Sequence, residues 1–217
     1  MEMIHRYFAG ALGLFILAIT IWSWRRRKQY PEQPVWLATA LLGLVIFQAA
    51  LGMWTVTLLL KPVVVMAHLL GGFATLSLLV LLALRTSPRS AVATTTASGW
   101  RKAGIVGLFI LVTQIALGGW TSTNYAALSC LDFPTCQGSW VPEMDFDEAF
   151  VMWRGLGVNY EYGVLEHPAR TAIHVTHRIG AVVTVLYLGW LIVGLLRARE
   201  GLAGPAILIG ALLTLQV

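Results

Sequence analysis

Ile173-His174-Val175-Thr176-His177-Arg178 heads an apolar run that continues to Leu196, and a fainter copy, Glu2-Met3-Ile4-His5-Arg6, heads another near the start of the chain. In both, a His-Arg pair opens the run, and a second polar side chain, His174 or Glu2, stands three residues before the histidine. Residues i and i+3 share a face of a helix, so each copy presents two polar groups to a single neighbour. That is the layout of a wall built against a cofactor.

The surroundings of that wall follow from composition. Of the 217 residues 58% are hydrophobic and only 12% charged, about half the charge of a soluble domain. A polytopic membrane protein is expected. Its apolar runs are Tyr7–Trp24, Val35–Leu60, Val63–Leu84, Ala103–Trp120, Thr171–Leu196 and Leu202–Val217. A span needs roughly 20 apolar residues, and in lipid each backbone N–H and C=O must be paired within its own segment. Six helices are therefore predicted, the last of them short.

Basic residues orient the spans. Arg25, Arg26, Arg27 and Lys28 follow the first run, Arg85, Arg89, Arg101 and Lys102 flank the third connection, and Arg197 and Arg199 follow the fifth run. The positive-inside rule makes these places cytoplasmic. The amino terminus, the Lys61-Pro62 turn and the segment 122–170 are then outside. That outer segment holds seven of the ten acidic residues and both cysteines, in Cys130-Leu131-Asp132-Phe133-Pro134-Thr135-Cys136. A short-range Cys130–Cys136 disulfide is sterically reasonable in an oxidising compartment, with a free or redox-active pair as the alternative. No secretory signal peptide is evident, and the Ser-, Thr- and Ala-rich stretch from Thr86 to Gly99 reads as a cytoplasmic linker between halves.

The halves repeat. His5-Arg6 and His177-Arg178 are 172 residues apart, as are Ala9 and Ala181 and the pair Arg25 and Arg197, and Leu44–Gln48 has a counterpart in Leu212–Gln216. A second internal match, Gln-x-Ala-Leu-Gly-x-Trp-Thr, occurs at Gln48–Thr55 and at Gln114–Thr121. Small residues let membrane helices approach and Trp favours the interface, so helix packing is the expected role of this octad.

Of the five histidines, His167 lies beside Pro168 in the outer loop and is expected to be solvated. The others are placed to act, because an imidazole in a span is costly and normally faces the bundle interior. His68 follows Pro62 by six residues, which puts it on the order of 9 Å below the outer turn. His5 starts its helix on the same side, so the two rings are expected at one level, as axial ligands of a tetrapyrrole standing between parallel helices. By the repeat, His177 takes the place of His5.

These segments together resemble the haem A synthase family: Glu2-x-x-His5-Arg6, Gln48 to Thr55, Cys130-x-Asp132-Phe133-Pro134-x-Cys136-x-Gly138-x-Trp140 and Ile173-His174-x-x-His177-Arg178. The resemblance covers almost the whole chain. It implies an all-α membrane protein of two related four-helix bundles, with about six of the eight helices present. The match begins at the second family helix and stops before the eighth, so a piece of a longer protein is expected. Residues 1–85 correspond to the first haem-binding half, 86–102 to the linker and 103–217 to the second half.

The activity implied is conversion of the C8 methyl of haem O to the formyl of haem A by successive hydroxylation, with haem b as cofactor. Residue by residue, the resemblance makes Glu2 the carboxylate at the reacting methyl. It makes His5, His68 and His177 ligands of haem iron, with His174 beside the second pocket. Arg6 and Arg178 are expected either to pair with haem propionates or to anchor to lipid head groups, and the alternative for Glu2 is a charge favoured by the helix dipole. The expected partners are haem O and membrane lipid in a bacterial inner membrane, with the haem sites near the periplasmic side. A haem O synthase contact or a homo-oligomer stays open, the electron donor is not identified, and no nucleic acid is expected. Two other classes compete: a bis-His membrane cytochrome b passing electrons to or from quinone, and an inactive haem-binding fragment.

Overall fold

Five long apolar stretches each close their own backbone hydrogen bonds as α-helices: α1 (Glu2–Arg26), α2 (Val35–Thr57), α3 (Pro62–Thr86), α4 (Arg101–Thr123) and α6 (His167–Arg197). The computed structural model describes residues 2–87, 99–198 and 202–216. All five long helices have the length and hydropathy to cross a membrane. A four-residue turn, α5 (Phe146–Ala149), and a 14-residue apolar helix, α7 (Ala203–Gln216), complete the described elements. The chain is an all-α polytopic membrane protein, as its composition requires. Most of the linker 86–102 lies outside the described residues.

The expected start of α6 at Thr171 is corrected by four residues. Its N-cap is Glu166 and Pro168 sits in the first turn, where a missing N–H costs nothing. At 31 residues the helix is about 46 Å long against a hydrocarbon core of about 30 Å, so its first turns stand clear of lipid, in reach of the loop that precedes them.

The chain divides into two compact units. Met1–Leu58 and Ala67–Val92 form the first. Its core is Ile16, Leu41 and Leu82, one residue from each of α1, α2 and α3. Polar stitches reinforce it: Thr20 Oγ1 donates to Ile16 O (2.8 Å) and lies 3.0 Å from Ala38 O, and Trp24 Nε1 donates to Thr39 Oγ1 (2.9 Å). Interhelical bonds of this kind contribute about 0.6 kcal/mol each. Tyr7, Phe8 and Phe15 face outward, as residues of a lipid-facing surface do.

Leu59–Met66 and Ala93–Val217 form the second unit. α4 and α6 pack closely because glycines open the way. A Cβ on Gly194 would come within 2.2 Å of the Trp100 indole, and one on Gly107 within 3.3 Å of the Tyr187 ring. Tyr187 OH donates to Ala103 O (3.0 Å), and Leu188, Leu191 and Leu195 continue the seam to α7 through Ala206.

At the other end the acidic segment folds down onto α4 and α6. Buried Trp120 donates its indole N–H to Ala149 O (2.9 Å), α5 is capped by the Asp145 carboxylate on Glu148 N (3.0 Å), and Ala149, Ala169, Ala172 and Ile173 close the cluster. The turn before α3 joins it. Tyr160 N donates to Leu59 O (3.1 Å), and the buried ammonium of Lys61 donates to Gly155 O and lies 3.2 Å from the Trp153 ring centre. A buried ammonium costs far less when carbonyl and π-face partners meet it.

Candidate functional site

Two side-chain clusters carry chemistry, one in each unit, and both are built on the same plan. In the first unit His5 on α1 and His68 on α3 turn toward each other, with ring centres 6.3 Å apart and planes at 83°. A metal bound by imidazole at about 2 Å on each side separates the ring centres by about 6 Å. Two imidazoles that shared one metal ion would stand at about the spacing that His5 and His68 show.

The octad of α2 supplies the backing. Gln48 Nε2 donates to His68 O (2.8 Å), and its amide fills a notch where a Cβ on Gly71 would stand 2.6 Å from it. One turn along, a Cβ on Gly52 would meet His68 Cε1 at 3.3 Å, so only a bare backbone leaves the ring its full clearance. His68 Nδ1 and Gln48 Oε1 are buried with no hydrogen-bond partner among the described residues.

The second unit reproduces each contact. Gln114 Nε2 lies 3.2 Å from His177 O and 3.1 Å from His177 Nδ1. A Cβ on Gly118 would meet His177 Cε1 at 3.2 Å, and one on Gly180 would meet Gln114 Oε1 at 2.3 Å. Gln114 Oε1 is buried and unpartnered, like its counterpart. Thr75 and Thr184 close both copies alike, each hydroxyl donating at 2.8 Å to the carbonyl of the notch glycine, Gly71 or Gly180. In contacts, then, His177 corresponds to His68, and the packing octad is the seat of the histidine on the next long helix. Gln48, Gly52, Gln114 and Gly118 are the residues that sequence reasoning left out of the site. The signal available was that each octad precedes a histidine-bearing helix.

His174 and Arg178 do different work from His177. His174 Nδ1 lies 2.9 Å from Ala126 O and its Nε2 accepts from Arg178 Nε (3.1 Å), so both ring nitrogens are committed and the proton sits on Nδ1. Arg178 continues with Nη1 to Thr135 O (2.9 Å) and Nη2 to Cys130 O (3.0 Å), and its guanidinium lies 5.7 Å from the Phe133 ring centre. Two of its donors thus hold the loop closed by the Cys130–Cys136 disulfide. Within that loop the Asp132 carboxylate accepts from Thr135 Oγ1 and from the N–H groups of Gln137 (2.6 Å) and Gly138 (3.0 Å). Thr135 chiefly, then Gly138, holds its pKa well below the ordinary carboxylate range, at about 2.

Glu2 lies on the first turn of α1, one turn before His5, but its side chain falls outside the described residues. Arg6 follows His5 on the exposed part of that turn. His167 begins α6 and is exposed, with Nε2 2.9 Å from Gln137 Nε2.

Comparison with known proteins agrees with this architecture. A heme A synthase of Shewanella oneidensis is 47% identical over 218 residues, covering all of this chain and 64% of the relative. One of Shouchella clausii is 33% identical over 156 residues, covering 68% of this chain and 50% of the relative. The chain thus spans about half to two thirds of the length of these relatives. No solved structure matches it. The model of the cytochrome oxidase assembly protein family COX15-CtaA matches residues 1–217 from end to end, and the chain belongs to that family.

Proposed function

We propose that the chain acts in haem A formation, converting the C8 methyl of haem O to a formyl group by successive hydroxylation, with a b-type haem as cofactor. One observation carries this reading: His5 and His68 face each other at 6.3 Å, the spacing of two imidazoles that share an iron.

Haem iron brings the one-electron and dioxygen chemistry that an unactivated methyl requires. The chain's residues position and shield it. His5 and His68 hold the substrate's iron, with Gly52 leaving the Cε1 edge of the His68 ring its clearance from α2. Glu2, one helical turn from His5, holds or receives a proton beside the reacting methyl. His177 binds the iron of the cofactor haem from α6. His174 and Arg178 leave the iron to His177, because their polar atoms engage Ala126 O, each other and the disulfide loop. The positive-inside pattern supports an orientation with this end of the helices on the periplasmic side of a bacterial inner membrane.

The test is extraction and chromatography of haems after expression beside a source of haem O. Haem A should accumulate with the chain and disappear with His68→Ala and with Glu2→Ala. Haem O left unconverted by a protein that is folded in the membrane and loaded with haem sinks the proposal. Conversion by Glu2→Ala removes Glu2 from it.

A further inference from the structure

Gln48 and Gln114 stand in helix interfaces of an apolar protein, where leucine or methionine would fill the same volume without a polar atom to satisfy. Each amide makes the same donor contact to the carbonyl of the following helix's histidine, and each leaves Oε1 buried and unpartnered. A buried acceptor without a donor is destabilising, and here the arrangement occurs twice. In the first unit a ring nitrogen is in the same condition: His68 Nδ1 is buried and has no partner among the described residues. In the second copy the amide lies directly on the ring's Nδ1 edge, at 3.1 Å.

An imidazole that gives Nε2 to a metal keeps its proton on Nδ1, and that N–H needs an acceptor, which fixes the ring plane and raises the basicity of the ligating nitrogen. A half-turn of the Gln114 amide exchanges its nitrogen, which stands 3.1 Å from His177 Nδ1, with its oxygen. Oε1 then moves to the ring, and the bond to the histidine carbonyl gives way to one from Nδ1–H. We propose that Gln48 and Gln114 are positioning residues for haem iron: they accept the Nδ1 proton of His68 and His177 and thereby set the orientation and donor strength of the two ligands. Gly71 and Gly180 are the notches that admit the amides, and Gly52 and Gly118 leave the rings free to align. This rests on the assignment of His68 and His177 as iron ligands.

The experiment takes the haem-loaded protein and reads its midpoint potentials by optical redox titration and its low-spin ferric signals by electron paramagnetic resonance. His68→Ala and His177→Ala come first. If both retain the wild-type spectrum, the ligand assignment has failed and the glutamines are moot. With the ligands established, Gln114→Glu, a stronger acceptor, should move one haem's potential down, and Gln114→Leu should move it up and broaden its signal. Gly180→Ala forces the same amide out of its notch without altering either partner and should act like Gln114→Leu, so failure of one variant to fold leaves the other to decide. Gln48→Leu and Gly71→Ala repeat the pattern on the haem held by His68. Potentials and resonance signals unchanged from wild type in folded, haem-loaded Gln114→Leu and Gly180→Ala overturn the proposal.

Discussion

The octads Gln48–Thr55 and Gln114–Thr121 begin with the same contacts and end with different ones. Through the glutamine and the glycine four residues on, both seat a histidine ring of the helix that follows. At the tryptophan they part. Trp54 is 40% exposed, whereas Trp120 is 4% exposed and bonded to Ala149 O. His68 looks toward a second imidazole, while His177 lies between the partners of a His174–Arg178 pair tied to a disulfide loop. The seat of the histidine is thus a property of two helices, and the cover over it a property of the loop. Ligand changes should remove haem, and cover changes should cost stability first.

The largest effect separates these two classes. His68→Ala and His177→Ala should each lose one haem from the spectrum and bring haem A formation to background. His174→Ala, three residues from His177, should keep its haem, since both its ring nitrogens serve the fold. An absorption spectrum of purified protein decides it. Loss of haem in His174→Ala at wild-type stability would make His174 a ligand and break the comparison.

Next in size is Arg178→Met. It strips donors from Cys130 O, Thr135 O and the His174 ring at once, which should cost about 3 kcal/mol and appear as a lower unfolding temperature in detergent. Arg178 also shows where sequence ceases to be informative. A His-Arg pair at the head of an apolar run signals a polar group at a membrane surface, but whether it meets a propionate, a lipid or a carbonyl depends on how a preceding loop is folded. The two carbonyls that Arg178 meets lie 43 and 48 residues away, and no periodicity encodes that approach.

What was legible is what lipid enforces. The long helices appear within a few residues of their apolar runs because the backbone has no other way to pair, and the facing of His5 and His68 follows from counting residues along two spans. The paired cysteines likewise carried their own geometry. α5 was missed although Asp145-x-x-Glu148 has the spacing of a helix start, because four residues show no period. The octad was read as packing because its glycines do pack. Its second task is visible only once His68 and His177 are laid against those glycines, and the 172-residue repeat had directed attention to His5 instead.

A smaller effect should come from the disulfide. Cys130 and Cys136 are six residues apart, and closing so short a loop contributes about 2 kcal/mol by chain entropy. The double variant Cys130→Ser with Cys136→Ser should therefore be less stable than wild type by less than Arg178→Met, and should keep its haem. If it instead loses haem as His177→Ala does, the loop is part of the ligand site and the division between seat and cover is wrong.

The smallest effect is the sharpest test of how the cover is held. Asp132 is half-buried and bonds only within its own turn, so its substitution by Asn should leave the helices untouched and loosen only the turn that Arg178 grips. Its pKa is shifted from 3.8 down to about 2, first by the Thr135 hydroxyl and then by the Gly138 N–H. A carboxylate whose folded value is depressed contributes stability that is complete above its unfolded value and vanishes as pH falls through the folded one. The wild-type turn should therefore hold at pH 4 and above, weaken between pH 4 and 2, and lose the contribution below. Asp132→Asn should behave at pH 7 as the wild type does at the acid limit, with faster amide hydrogen exchange at Gln137 and Gly138, whose N–H groups the carboxylate accepts. Equal exchange in the two proteins from pH 7 to pH 2, once corrected for the intrinsic rate, would mean that Arg178 and the disulfide hold the turn without Asp132.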